Sequence, residues 1–163
     1  MQQHINCAEL SPDDWLRLRD LRLASLLDAP DAFGGNHELE SAFSEAQWRE
    51  TFEKLAYIVA SIDGEDIAIM SIEPLRGDFG AQCWIGGCWS NPDYRGGGAL
   101  RAMFDYLDSI AEARGWGIQG LGVFVANESA IAAYEKLGFV AMGDPQESAR
   151  KPGNYYQRML RGL

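Results

Sequence analysis

The sequence predicts a mixed α/β fold, a central sheet of about six or seven strands with helices on both faces. Three stretches carry that expectation. Two β-rich runs, Tyr57 to Ile62 and Ile67 to Ile72, flank Asp63-Gly64-Glu65-Asp66, which is a hairpin signal. An aromatic-rich strand from Cys83 to Trp89 leads through three consecutive glycines, Gly96 to Gly98, into a segment of helical period. Farther on, Asn127 and Gly138 bracket a run of helix formers that lies between two further strand-like segments. With 163 residues and no linker or repeat, the chain fits one domain over 1–163, long enough to bury about 70% of its unfolded surface.

In chain order, Gln3 to Ala8 reads as a first strand, and Ser11-Pro12 as a helix cap with proline in the first turn. Trp15, Leu18, Leu21 and Leu26 give that helix its apolar face. Pro30, Gly34 and Gly35 interrupt the pattern and leave 31–37 as a loop, with a short helix from Glu45 to Leu55 beyond it. After the hairpin, Pro74 to Gly80 forms a loop, and Gly86-Gly87 inside the next strand marks a bulge. The helix after the glycines carries Leu100, Met103, Phe104, Leu107, Ile110 and Ala111 on one face and closes at Arg114-Gly115. Gln119 to Ala126, Phe139 to Met142 and Tyr155 to Leu160 read as the remaining strands, the last two joined by a polar loop from Asp144 to Asn154.

Composition removes several classes of function. The formal net charge is −10, which argues against nucleic acid or an anionic membrane as partner. No apolar run approaches the ~20 residues of a membrane-spanning helix. The N-terminus shows no basic region followed by an apolar core, so the expected location is the cytoplasm. Three cysteines cannot all pair, and the expectation is buried free thiols. Two histidines and no Cys-x-x-Cys leave no candidate metal site.

A strand, a glycine turn and a helix start aim backbone N–H groups and the positive end of a helix dipole at one point, which suits an anion. Arg95 and Arg101 stand beside it. The alternative is a flexible turn into a helix. The glycines match neither a Walker loop nor a dinucleotide fingerprint. On the second segment, Asn127 and Tyr134 are nearly two helical turns apart and share one face, so they can address a long polar ligand at two points.

Together these segments resemble the GNAT superfamily of N-acetyltransferases. Arg95 and Gly98 stand in register with the family's Arg/Gln-x-x-Gly-x-Gly/Ala pyrophosphate loop, and Asn127 to Phe139 resembles its Asn, helix, Tyr, Gly-Phe signature; the likeness extends over roughly residues 4–161. It implies a bulged strand splayed from its parallel neighbour, with acetyl-CoA entering the gap and an amine attacking the thioester directly. Cofactor binding then falls to Cys88, Trp89, Ser90, Arg95, Gly96, Gly97, Gly98, Ala99, Leu100, Arg101, Asn127 and Tyr134, with Tyr134 also the acid for the departing thiolate. An unperturbed phenol, pKa ~10, is protonated at neutral pH. The competing role for Tyr134 is packing.

By the same resemblance, Phe33, Glu38 and Trp84 are candidate acceptor contacts, against a core phenylalanine, a solvated glutamate and a core tryptophan. Three positions depart from the family pattern: Leu100 replaces a small residue, Ser90 a branched aliphatic, and Gly122 a carboxylate that in some members deprotonates the amine. Glu73 is the candidate base in its place, with His37 behind it, against surface duty for both. The acceptor class implied is a small-molecule or peptide amine, and the family's habits admit a homodimer. Two other readings stay open, a non-catalytic acyl-CoA binding or sensing domain and a nucleotide-binding module.

Overall fold

The computed structural model describes residues 4–30, 35–75 and 77–162. Strand β1 (Asn6–Glu9) leads to a 3-10 turn at Pro12–Asp14, where the Asp14 carboxylate accepts from the Ser11 backbone N–H at 2.9 Å. Proline fits there because a first-turn N–H has no helical acceptor. The turn runs into α1 (Trp15–Asp28), which buries Leu18, Leu21 and Leu26. Two helices then precede the hairpin where the pattern predicts one: α2 (His37–Ser41) and α3 (Glu45–Thr51). α2 is a single turn capped by Asn36, whose side chain accepts from the Leu39 N–H at 3.1 Å. Five residues are too few to show an apolar period. The predicted loop at 31–37 otherwise falls mostly outside the described residues.

Asp63 and Gly64 take φ of 51° and 82°, the positive pair that a tight two-residue hairpin turn requires, and join β2 (Ala56–Ile62) to β3 (Glu65–Glu73). The chain continues through β4 (Cys83–Ser90), α4 (Ala99–Arg114), β5 (Ile118–Phe124), α5 (Glu128–Lys136), β6 (Val140–Glu147) and β7 (Tyr155–Gly162). β6 runs past the expected end at Met142, because a register shift between Met142 and Gln146 takes Gly143 and Pro145 out of the ladder. β6 is the edge strand, where a proline is tolerated.

The sheet has seven strands in the order β1-β2-β3-β4-β5-β7-β6. All neighbours are antiparallel except β4 and β5. That parallel pair is joined only from Cys83↔Gln119 to Ile85↔Leu121. Beyond it the strands part, and the departure begins at the predicted bulge. Ile69 of β3 faces Trp89 and Ser71 faces Gly86, so Gly87 and Cys88 together stand opposite Met70. Gly87 has φ of 57°, the left-handed region that glycine enters without a steric penalty.

The extra residue also settles which layer each side chain joins. Cys83 and Ile85 pack with Met103, Phe104 and Leu107 of α4, and Cys88 lies against the same layer. Trp89 faces the other way, into a cluster with Leu18, Leu21, Trp48 and Tyr57. Unbroken alternation would have put Trp89 on the face of Ile85. The α4 side of the sheet thus carries α4 and α5, and the opposite side carries α1 and α3. On α4 the buried stripe is Ala99, Met103, Phe104, Leu107 and Ala111. Leu100, which the pattern assigns to the core, packs against this cluster but is only half-buried, in the first turn of α4.

Candidate active site

Gly96 and Gly98 have φ of 82° and 92°, and a Cβ at either would meet nothing within 4 Å. Their need for glycine is therefore conformational. Ala102 donates the first bond of α4, to the Gly98 carbonyl at 2.9 Å, and Gly98 has no side chain to cap the N–H groups before it. Those uncapped donors border a cavity of about 840 Å³ whose lining includes every predicted cofactor residue except Gly97. The Gly97 N–H is instead bonded to the Tyr94 carbonyl at 3.2 Å. The site fits a diphosphate-bearing ligand on these grounds: an uncapped helix N-terminus, an open turn and adjoining cationic side chains.

The two arginines are not equivalent. Arg101 makes an exposed pair with Asp105 one turn along α4. Arg95 donates to Asp28 at the end of α1 at 2.6 Å and to the Ser90 carbonyl at 3.2 Å. The Trp89 indole donates to the same Asp28 oxygen at 2.9 Å. Asp28 thereby joins α1, β4 and the glycine turn. It has no sequence signal, since its partners lie more than sixty positions away.

A second cavity, about 710 Å³, occupies the gap between β4 and β5. Cys88, Asn127, Ala130 and Tyr134 line both cavities, so the two meet at these residues. Asn127 caps α5, accepting from the Ala130 N–H at 3.3 Å. The Tyr134 ring packs edge-on to Phe104 and Phe139, centroids 6.4 and 5.9 Å away, and its hydroxyl hydrogen-bonds Cys88. Burial, and then the neighbouring Cys88, hold the Tyr134 phenol well above its usual pKa. Burial pushes the Cys88 thiol up to about 11, against the opposing effect of the Tyr134 hydrogen bond. Both groups are therefore protonated at neutral pH.

Trp84 lines this second cavity and lies across β5. A Cβ on Gly120 would come within 2.5 Å of Trp84 Cζ3, and one on Gly122 within 3.2 Å of Tyr156 Cδ2. Aromatic rings thus fill the space over β5, where a side chain at Gly122 would begin.

On the opposite face of the bulge lies a third cavity of about 300 Å³, which shares Gly87 and Arg150 with the second. Its carboxylate is Glu40 of α2, held by Arg22 at 2.9 and 3.2 Å. Glu38 sits exposed on the same turn and His37 half-buried, both outside the lining of all three cavities. Glu73 ends β3 opposite Trp84 and is also absent from those linings. Phe33 lies outside the described residues. Glu40 and Arg150 carry no sequence signal: the pattern assigns no element between the loop at 31–37 and the helix from Glu45, and a lone arginine in a polar loop has no periodicity.

Among the described residues no group of side chains suits a metal, no helix is long and apolar enough to cross a membrane, and the three cysteines are free. A parallel strand pair opened by a bulge, with an uncapped helix N-terminus at one end and a protonated tyrosine at the junction, defines an acyltransferase-like architecture.

The chain belongs to the acetyltransferase (GNAT) family, whose model matches residues 16–139. Comparison with curated proteins found no match. Among solved structures the fold is similar to a GNAT-family acetyltransferase from Streptococcus pneumoniae, at 16% identity and TM-score 0.78, covering 98% of this chain and 100% of that one. It is also similar to a putative acetyltransferase from Salmonella typhimurium, determined with its cofactor acetyl-CoA, at 16% identity and TM-score 0.74, covering 98% and 94%. A third is a spermidine N-acetyltransferase from Vibrio cholerae in complex with CoA and spermine, at 16% identity and TM-score 0.73, covering 97% and 95%.

Proposed function

We propose that this protein transfers the acetyl group of acetyl-CoA directly to an amine of a small molecule or peptide. The observation that carries this is the position of Tyr134, a protonated phenol hydrogen-bonded to a sulfur at the junction of two cavities. The residues of the first cavity suit the phosphates and arm of the cofactor, and those of the second suit the thioester and amine. Acetyl-CoA supplies an activated acyl group.

The N–H groups at the start of α4, with Arg95 and Arg101 beside them, hold the diphosphate. The Asn127 carboxamide oxygen serves the α5 cap, which leaves its NH₂ to donate to the arm. The strand edge of β4 beyond Ile85, unpaired toward β5, offers backbone N–H groups to the acetyl oxygen. Tyr134, at the junction of the two cavities, would supply its hydroxyl to the sulfur that leaves, exchanging the Cys88 thiol for it. A phenol held above pKa 10 is a weaker acid than a thiol of pKa ~8.5, so full proton transfer would be uphill by at least about 2 kcal/mol. Tyr134 accordingly stabilises the departing thiolate chiefly as a hydrogen-bond donor.

Among the described residues both carboxylates lining the acceptor cavities are already in ion pairs, Glu40 with Arg22 at 2.9 Å and Asp78 with Arg158 at 3.0 Å. With Glu73 outside the linings, the ammonium loses its proton to solvent, at a cost of about 4 kcal/mol at pH 7 for an amine of pKa ~10. That no unpaired carboxylate stands among the described lining residues also favours the second reading, an acyl-CoA binding domain without turnover. Release of free thiol from acetyl-CoA across a panel of amines separates the two. Under the transfer reading, the rate rises about tenfold per pH unit below the amine's pKa, and Glu73→Gln leaves that slope unchanged. Saturable acetyl-CoA binding with no thiol released by any amine would leave only the binding reading.

A further inference from the structure

We propose that the acceptor is a small amine carrying its own carboxylate and an apolar body, an amino-acid-like molecule, and that Arg150 recognises the carboxylate. The proposal rests on the transfer reading above and adds the substrate class. Arg150 is the one ionisable residue that lines both acceptor-side cavities. It has no hydrogen bond or ion pair among the described residues, whereas each carboxylate in those linings already has an arginine: Glu40 with Arg22 and Asp78 with Arg158. Among the described lining residues the ionic groups are thus balanced apart from one cation. A polyamine would find no unpaired carboxylate among the described lining residues and would meet Arg150 as a like charge, while an anion finds a guanidinium able to bind it in bidentate fashion.

The loop that bears Arg150 is fixed by its own bonds. The Ser148 N–H donates to the Asn154 carbonyl at 2.8 Å, the Lys151 N–H to Ser148 Oγ at 3.2 Å, and the Gly153 N–H to Glu147 Oε1 at 2.9 Å. Lys151 Nζ also bonds the Pro30 carbonyl just past α1. Aromatic rings line both cavities, Trp84, Phe124 and Tyr156 on one side and Phe43, Trp48 and Tyr57 on the other. An apolar side group and a carboxylate on the same small molecule match that combination.

The test uses binding, so that it does not depend on turnover. With CoA present, calorimetry compares N-acetylphenylalanine with N-acetylphenylalaninamide, which differ in the carboxylate. The acid is expected to bind the wild-type protein at least tenfold more tightly than the amide, Arg150→Gln to abolish that difference, and Arg150→Lys to restore part of it. Equal binding of acid and amide, a preference that survives Arg150→Gln, or no binding of either would overturn the proposal. Thiol release with phenylalanine as acceptor is measured in parallel. A carboxylate preference with no thiol released by phenylalanine or by any amine of the panel would sink the transfer reading and leave the anion site standing.

Discussion

Tyr134 is set by three neighbours acting at once. Phe104 and Phe139 clamp the ring, and Cys88 receives the hydroxyl. Removing the oxygen alone therefore leaves the packing in place. Tyr134→Phe is expected to keep acetyl-CoA affinity within a few fold and to lower kcat by about 10²–10³-fold, the usual loss when a donor to developing charge is removed. Steady-state thiol release with a calorimetric Kd checks both halves, and unchanged kcat with chemistry rate-limiting would exclude the role. Tyr134 and the glycine turn were legible in the sequence because their spacing is local. Asp28 and Arg150 were not, since each owes its place to contacts formed only by the folded sheet.

At the scale of elements, α5 depends on Asn127 for its start, and the two ends of that side chain have separable duties. Its oxygen accepts from the Ala130 N–H and the Ser129 hydroxyl, both at 3.3 Å. Asn127→Ala should lower apoprotein stability by about 1 kcal/mol and weaken acetyl-CoA binding as well. Asn127→Asp keeps an acceptor at the cap, so it should hold the melting temperature while still losing affinity about tenfold through the missing NH₂. An Asn127→Asp protein with full affinity would confine the residue to capping. The elements themselves were read correctly where a period or turn signal ran long enough, as in α4 and the β2–β3 hairpin. α2 escaped notice as a single turn, and Leu100, placed on the stripe by its period, packs against the core only half-buried, because a helical period fixes a face but not how deeply a first-turn residue is covered.

For the whole molecule, burial raises five ionisable groups together among the described residues, Cys7, Tyr57, Cys83, Cys88 and Tyr134. Cys83 and Cys88 are pushed up to about 11, and Tyr134 stands well above its usual value. The folded chain therefore keeps protons that the unfolded chain releases above about pH 9, so their stabilisation is complete below that pH and declines as pH rises toward 11. Melting temperatures at pH 7.5, 9 and 10.5 should fall most steeply over the last interval. In the native protein at pH 8, Cys83 should resist a thiol reagent that titrates all three cysteines in denaturant.

Gly87 can be subtracted without turning any side chain over. It is the surplus residue opposite Met70, so its deletion would leave Ile85 and Cys88 facing α4 and Trp89 facing α1, in an unbroken ladder with β3. Such a chain has every reason to fold and none to open, because β4 would follow the common twist of the sheet and continue alongside β5. The shortened protein is expected to unfold cooperatively, at least as stable as its parent, yet to bind no acetyl-CoA. Retained cofactor affinity would instead attribute the gap to the helices around it. In ordinary sheets one supernumerary residue is an irregularity of pairing; here it is the difference between a wall and a doorway.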